Sequence, residues 1–160
     1  MLYAQRLEDL HSIGWSFANL AEIKVTNLHE GYPRDIFWDF VSKLPRVHHI
    51  VVSGRLIPDF LAALYTGRES SLYLPTTFPL PCLRRLEVIG TSRSGISLQS
   101  LIEQLVGALK KRRQRALKCR ISGTGALEWL TLHDCRSPPV STQTLLSGVQ
   151  STLVKHIFWR

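Results

Sequence analysis

The sequence predicts an α/β fold in the form of a short, irregular solenoid, with parallel strands on its concave side and helices on its convex side. Three observations lead there. A six-residue pattern (apolar, two residues, apolar, one residue, apolar) recurs five times along the 160 residues. A helix-like segment with its own start or stop signals fills each interval between copies. The copies also share one template, unlike the continuous apolar runs of a doubly wound open sheet, which is the competing arrangement. A strand, a crossover helix and a parallel strand form a right-handed unit, and such units stacked in series curve into a solenoid.

The copies are Leu20-Ala21-Glu22-Ile23-Lys24-Val25, Val47-His48-His49-Ile50-Val51-Val52, Leu83-Arg84-Arg85-Leu86-Glu87-Val88, Leu127-Glu128-Trp129-Leu130-Thr131-Leu132 and Val154-Lys155-His156-Ile157-Phe158-Trp159. They place strands near 20–25, 47–52, 83–88, 127–132 and 154–159 of a single domain spanning 1–160. The intervals are close to repeat length at the two ends and padded by loops in the middle, so about five irregular repeats are expected. So short a pattern recurs by chance in an apolar-rich chain, and the capped helices between copies carry the inference.

In the first interval Ile36, Phe37, Phe40, Val41 and Leu44 share a helical face that Pro45 ends. In the second, Pro58 takes a first-turn position of a helix reaching Thr66, with Gly67 as its stop and a Ser-, Thr- and Pro-rich loop from Glu69 to Pro81. The third helix runs through Leu98, Leu101, Ile102, Leu105, Val106 and Leu109. Ser97 or Ser100 can cap it, and Ser100 with Glu103 has capping-box spacing. In the fourth, Ser141 is the expected cap ahead of Leu145, Leu146, Val149 and Leu153.

Net charge is +8, and nearly all of it is local: Lys110, Lys111, Arg112, Arg113, Arg115, Lys118 and Arg120 lie in one run without an acid. The chain is otherwise near neutral, unlike a uniformly basic nucleic-acid binder. This basic run begins where the third helix is expected to end, a favourable place for cations. No stretch of eighteen apolar residues exists, so no membrane span is expected. Arg6, Glu8 and Asp9 bring charge too early for a secretory signal. Cys82, Cys119 and Cys135 are odd in number and widely spaced, which fits neither a disulfide framework nor a zinc site. They read as reduced, buried thiols of an intracellular protein, cytoplasmic or nuclear or both. No cofactor is expected.

At the fourth copy, Leu127-x-x-Leu130-x-Leu132-x-x-Cys135 fits every fixed position of the leucine-rich-repeat segment, and the chain resembles that family there. The resemblance implies that the Cys135 thiol is buried and bonds to loop backbone. The third copy departs at that position with Thr91. The first has Leu28 there and Asn27 one residue early. Longer stretches are similar to the repeat region of fungal F-box and leucine-rich-repeat proteins: Ile57-Pro58-Asp59-Phe60-Leu61-Ala62-Ala63-Leu64, Phe78-Pro79-Leu80-Pro81-Cys82-Leu83-Arg84-Arg85-Leu86-Glu87-Val88, Ser97-Leu98-Gln99-Ser100-Leu101-Ile102-Glu103-Gln104-Leu105 and Leu153-Val154-Lys155-His156-Ile157-Phe158-Trp159. In that family an F-box binds a ubiquitin-ligase adaptor and the repeats hold the substrate. Tyr32 to Pro45 resembles the opening helix of an F-box, but Val47 to Val52 reads as a strand where an F-box needs more helix. The resemblance therefore implies an adaptor as partner only for a longer parent protein. The fifth copy ends the sequence with no capping element, so the chain is read as a piece of a longer array or as one whose last strand a partner covers.

In the template the fixed residues point into the core and the variable ones to the concave face, where equivalent positions of strands about 4.8 Å apart line up in columns. The first column is Ala21, His48, Arg84, Glu128 and Lys155. The second is Glu22, His49, Arg85, Trp129 and His156, and the third Lys24, Val51, Glu87, Thr131 and Phe158. The expected protein-binding residues are Glu22, Lys24, His48, His49, Arg84, Arg85, Glu87, Glu128, Trp129 and Thr131. An exposed Trp129 beside Arg85 has the composition of an interface hot spot, and the plain alternative is that Trp129 covers a loop as part of the core.

No catalytic or metal-binding residues are expected. His48 and His49 are adjacent on a strand and point to opposite faces, so they cannot easily share an ion. His133-Asp134-Cys135 has the letters of a nucleophilic site without the geometry that sequence neighbours rarely achieve. Gly90-Thr91-Ser92-Arg93-Ser94-Gly95 lacks the ending of a phosphate loop and reads as a turn. The basic run reads as a solvated helix end, a nuclear-localisation signal or a phosphate contact. No aromatic lies within it to stack a base, so nucleic acid is not the expected partner.

Overall fold

Five strands and four helices alternate in the computed structural model, which describes residues 17–26, 28, 33–66, 78–90, 97–118, 125–134 and 139–160. The strands are β1 (Glu22–Val25), β2 (His49–Ser53), β3 (Arg85–Ile89), β4 (Leu127–Leu132) and β5 (Val154–Trp159). The helices are α1 (Arg34–Ser42), α2 (Ile57–Thr66), α3 (Leu98–Lys118) and α4 (Val140–Ser147), one in each interval. All pairings are parallel and the sheet order is β1-β2-β3-β4-β5, so each strand lies beside its sequence neighbour. Crossovers of one hand between successive parallel strands put their helices on one side. Consecutive helices accordingly contact one another, α1 with α2, α2 with α3 and α3 with α4. Among the described residues, no helix is long and apolar enough to cross a membrane.

Alternation along the strands decides which side the helices cover. Ile23, Ile50, Leu86, Leu130 and Ile157 form one row across the sheet, and Val25, Val52, Val88, Leu132 and Trp159 the next. The members of these rows on β1 to β4 are all buried, in one core with Phe60, Leu64, Leu101, Ile102, Leu105 and Leu109 of the helices. β-Branched and leucine side chains suit such a half-covered pleated surface.

Two irregularities recur from unit to unit. The first apolar position of the template, Val47, Leu83 or Leu127, is also buried, although it lies three residues before the next inward residue and a regular pleat would turn it outward. The backbone absorbs this break by sharing carbonyls. Ala21 O accepts the amides of both His48 and His49, His48 O those of Arg84 and Arg85, and Arg84 O those of Glu128 and Trp129. The regular strand therefore begins two residues into each of the first three copies. The second irregularity is a left-handed residue just past the strand, with φ of 59° at Gly54, 68° at Gly90 and 62° at Asp134. These three occupy the same template position. Glycine adopts this conformation freely and aspartate is among the few other residues that tolerate it. The Asp134 carboxylate accepts the Gly90 amide at 3.1 Å, joining two of these turns.

The helices depart from expectation in detail. Along α1 and the turn after it, Phe37, Val41 and Leu44 are buried as the periodicity predicts, but Ile36 is 52% exposed and Trp38 is buried in its stead. Trp38 packs 4.9 Å from Phe37 and 5.2 Å from Phe60 between ring centroids, so the larger apolar surface wins the inward position. Ser97 caps α3, its hydroxyl accepting the Ser100 amide at 3.2 Å. This places Ser100 inside the first turn and overturns the Ser100–Glu103 capping box. Helix α4 starts two residues earlier than a Ser141 cap allows, because the extended Pro139 takes the cap position and supplies the first carbonyl, to Gln143 at 3.1 Å. Leu146, Val149 and Leu153 are buried there, whereas Leu145 is exposed.

The largest departure is the length of α3. Its inward stripe continues past Ala108 and Leu109 to Arg112 and Ala116, so the described part of the basic run, Lys110 to Lys118, lies on the last turns of the helix and not beyond its end. Cys82 is an exposed free thiol, not a buried one, because it sits on the turn leading to β3 and not at an apolar template position. Cys119, Cys135, Asn27, Gly67, Thr91, Tyr32 and Arg120 lie outside the described residues, as do the rest of the Gly90–Gly95 turn and the loop from Glu69 to residue 77.

Candidate functional site

The side of the sheet opposite the helices carries the variable template residues. Strand register puts Glu22, His49, Arg85, Trp129 and His156 in one row and Lys24, Val51, Glu87, Thr131 and Phe158 in the next. Glu22, Lys24, Arg85 and His156 are exposed and Phe158 is 45% exposed. His49, Glu87 and Trp129 are half-buried, while Val51 and Thr131 are covered by their neighbours. His48, Arg84 and Lys155, at the first variable position, are exposed, and Glu128 there is half-buried, with its carboxylate 3.6 Å from the Arg84 guanidinium.

The two halves of this face are built differently. On β1 to β3 the polar groups pair among themselves. Glu87 bridges two imidazoles, with His49 Nε2 at 3.0 Å from one carboxylate oxygen and His133 Nε2 at 3.2 Å from the other. His49 Nδ1 in turn lies 3.5 Å from the exposed Glu22 carboxylate. Burial alone would raise the Glu87 pKa, but the hydrogen bond to His133 and the charge and hydrogen bond of His49 together hold it below its ordinary value. His133 lies one residue beyond the template, so the template does not mark it as a residue of this face. The signal was parity, since His133 follows Thr131 by two and faces the same way.

On β3 to β5 the groups stack. The Arg85 guanidinium lies over the Trp129 ring, 5.1 Å from its centroid, and the His156 ring lies at 6.1 Å with 26° between planes. Because Arg85 and His156 come from the strands on either side of β4, the indole is held between them. It is therefore half-buried, not fully exposed. Phe158, in the next row, adds apolar surface beside it.

The basic run does not make one surface. Arg112 is fully buried, donating to Pro79 O at 2.5 Å and Leu80 O at 2.7 Å, with its guanidinium 4.5 Å from the Phe78 ring centroid. Burial pushes its pKa down to about 10, which leaves it charged at neutral pH. Arg113 donates to the Thr152 carbonyl, tying α3 to the approach of β5. Lys110, Lys111 and Lys118 are exposed and Arg115 is half-buried. Among the described residues, no group of three or more His, Cys, Asp or Glu is placed to hold a metal ion.

No family model, curated protein or solved structure matches this chain.

Proposed function

We propose that this chain is a non-enzymatic protein-interaction module of leucine-rich-repeat type, a short solenoid whose open sheet face is the concave binding surface. The observation that carries the reading is the five-strand row Glu22–His49–Arg85–Trp129–His156, which aligns the variable positions of one template on the face away from the helices. The shared carbonyls and the left-handed residues at Gly54, Gly90 and Asp134 support it, because both recur at fixed template positions as a repeated unit requires. A tryptophan flanked by arginine is the composition that dominates binding energy at protein interfaces. The sequence resemblance extends the reading: in a longer parent with an F-box, this region would hold the substrate of a ubiquitin ligase.

Trp129→Ala is the test. Affinity capture from source cells with the wild-type chain should recover protein partners that the variant loses, with affinity for a purified partner down about thirtyfold or more. The melting temperature should fall by no more than about 4 °C. A variant that unfolds would mean that Trp129 is packing and not interface.

A further inference from the structure

We infer that the segment recognised by the β3–β5 half of this face is an acidic peptide, whose carboxylates meet the row Arg85, Trp129, His156 and whose apolar residue meets Phe158. The inference rests on the binding-surface reading above and names the chemistry of the partner.

Charge comes first. Among the described residues, the carboxylates on or bordering the face are already engaged: Glu87 by two histidines, Glu22 by His49 and Glu128 by Arg84. The cations are not balanced in the same way. Lys24, Arg85, Lys155 and Arg160 have no carboxylate partner among the described residues, and all four are exposed. Three of them border β4 and β5, so the uncompensated charge gathers at the stacked half.

Geometry narrows the ligand. Arg85 packs over the Trp129 ring from β3 and His156 stacks against it from β5, so the ring is a poorer platform for a base than an open indole. The rim of an aromatic ring carries the positive part of its quadrupole, a guanidinium has donors around its plane, and an imidazole carries N–H at its rim. A line of such edges receives anionic oxygens. Phe158 lies two residues along β5 from His156, about 6.7 Å away in strand rise. An acidic residue therefore fits best with an apolar neighbour along the same extended segment.

The experiment displays a library of random twelve-residue peptides against the immobilised full chain and repeats the selection on Trp129→Ala and Lys155→Glu. Lys155 is exposed and unpaired, so its variant keeps the test open if Trp129→Ala folds poorly. Selected peptides should be enriched in Asp and Glu beside an apolar residue. A synthetic peptide from the selection should weaken about tenfold on each variant and lose affinity with added salt. Peptides that depend on Trp129 but carry no acidic enrichment would overturn this inference and leave the interaction surface standing. Peptides indifferent to both substitutions, or no selected peptide at all, would remove the inference, and indifference to Trp129 would also count against the proposed face. A single-stranded dT oligonucleotide that displaces the peptide in a Trp129-dependent way would favour nucleic acid and overturn it too.

Discussion

Glu87 and Arg112 are both enclosed charges, and the protein holds them in opposite ways. Glu87 sits on the open face of the sheet, half-buried, and its partners are two histidines, which hold its pKa below the ordinary value. Arg112 is sealed beneath the helices, and its partners are two neutral carbonyls and an aromatic ring. The carboxylate belongs to a surface that remains in contact with water. The guanidinium is a structural tether that pins residues 78–80 against α3, where Leu80 holds a φ of 50° and donates its amide to Ser42 O at 2.8 Å.

The contrast can be broken most forcefully at Arg112. Arg112→Ala removes a fully buried side chain and strands two carbonyls, and should cost about 3 kcal/mol or more by chemical denaturation. Arg112→Met fills most of the space without a desolvated charge and should recover a large part of that loss. Equal losses in the two variants would mean that the hydrogen bonds, not the packing, hold the tether.

At Glu87 a smaller and pH-dependent effect is expected. Its pKa is lowered in the folded chain, so its stabilising contribution is full above the ordinary value of 4.5, drains as pH falls below it and vanishes once the folded value is passed. Glu87→Gln should therefore cost stability near neutral pH, about 1 kcal/mol, and nothing at strongly acidic pH. Melting curves of both proteins across roughly pH 3 to 7 would show the gap close toward acid; a constant gap would deny the linkage. The smallest effect belongs to Cys82→Ser. Cys82 lies two residues beyond the tethered Leu80 but is exposed and free, so its melting temperature should match the wild type within about 1 °C.

The parallel α/β arrangement was legible because each strand carries its apolar positions at fixed spacing and each interval carries one helical stripe. Legibility failed where one residue plays against type. Arg112 occupies an apolar-stripe position, so a reader of hydrophobic periodicity stops α3 at Leu109, about two and a half turns before its end at Lys118. Ile36 and Trp38 are both apolar and two apart, and only the competition for room against Phe60 decides between them. On the open face, the row of Arg85, Trp129 and His156 follows from the template once the strands are taken in sequence order. The bridge from Glu87 to His133 does not, because it reaches past the template into the turn that Asp134 closes.

The regularity of the rows contrasts with the unequal stretches of chain that separate the strands. β2 and β3 are further apart in sequence than β1 and β2, and β3 and β4 further still, yet the pairing register stays in step throughout. Closing a loop costs entropy only logarithmically in its length, about 0.6 kcal/mol for each doubling. Inserted sequence in the two middle intervals is therefore nearly free in energy, whereas one residue added inside a strand would turn every following side chain to the wrong face. Variation in length is confined to the connections, and the spacing of the exposed row is left intact.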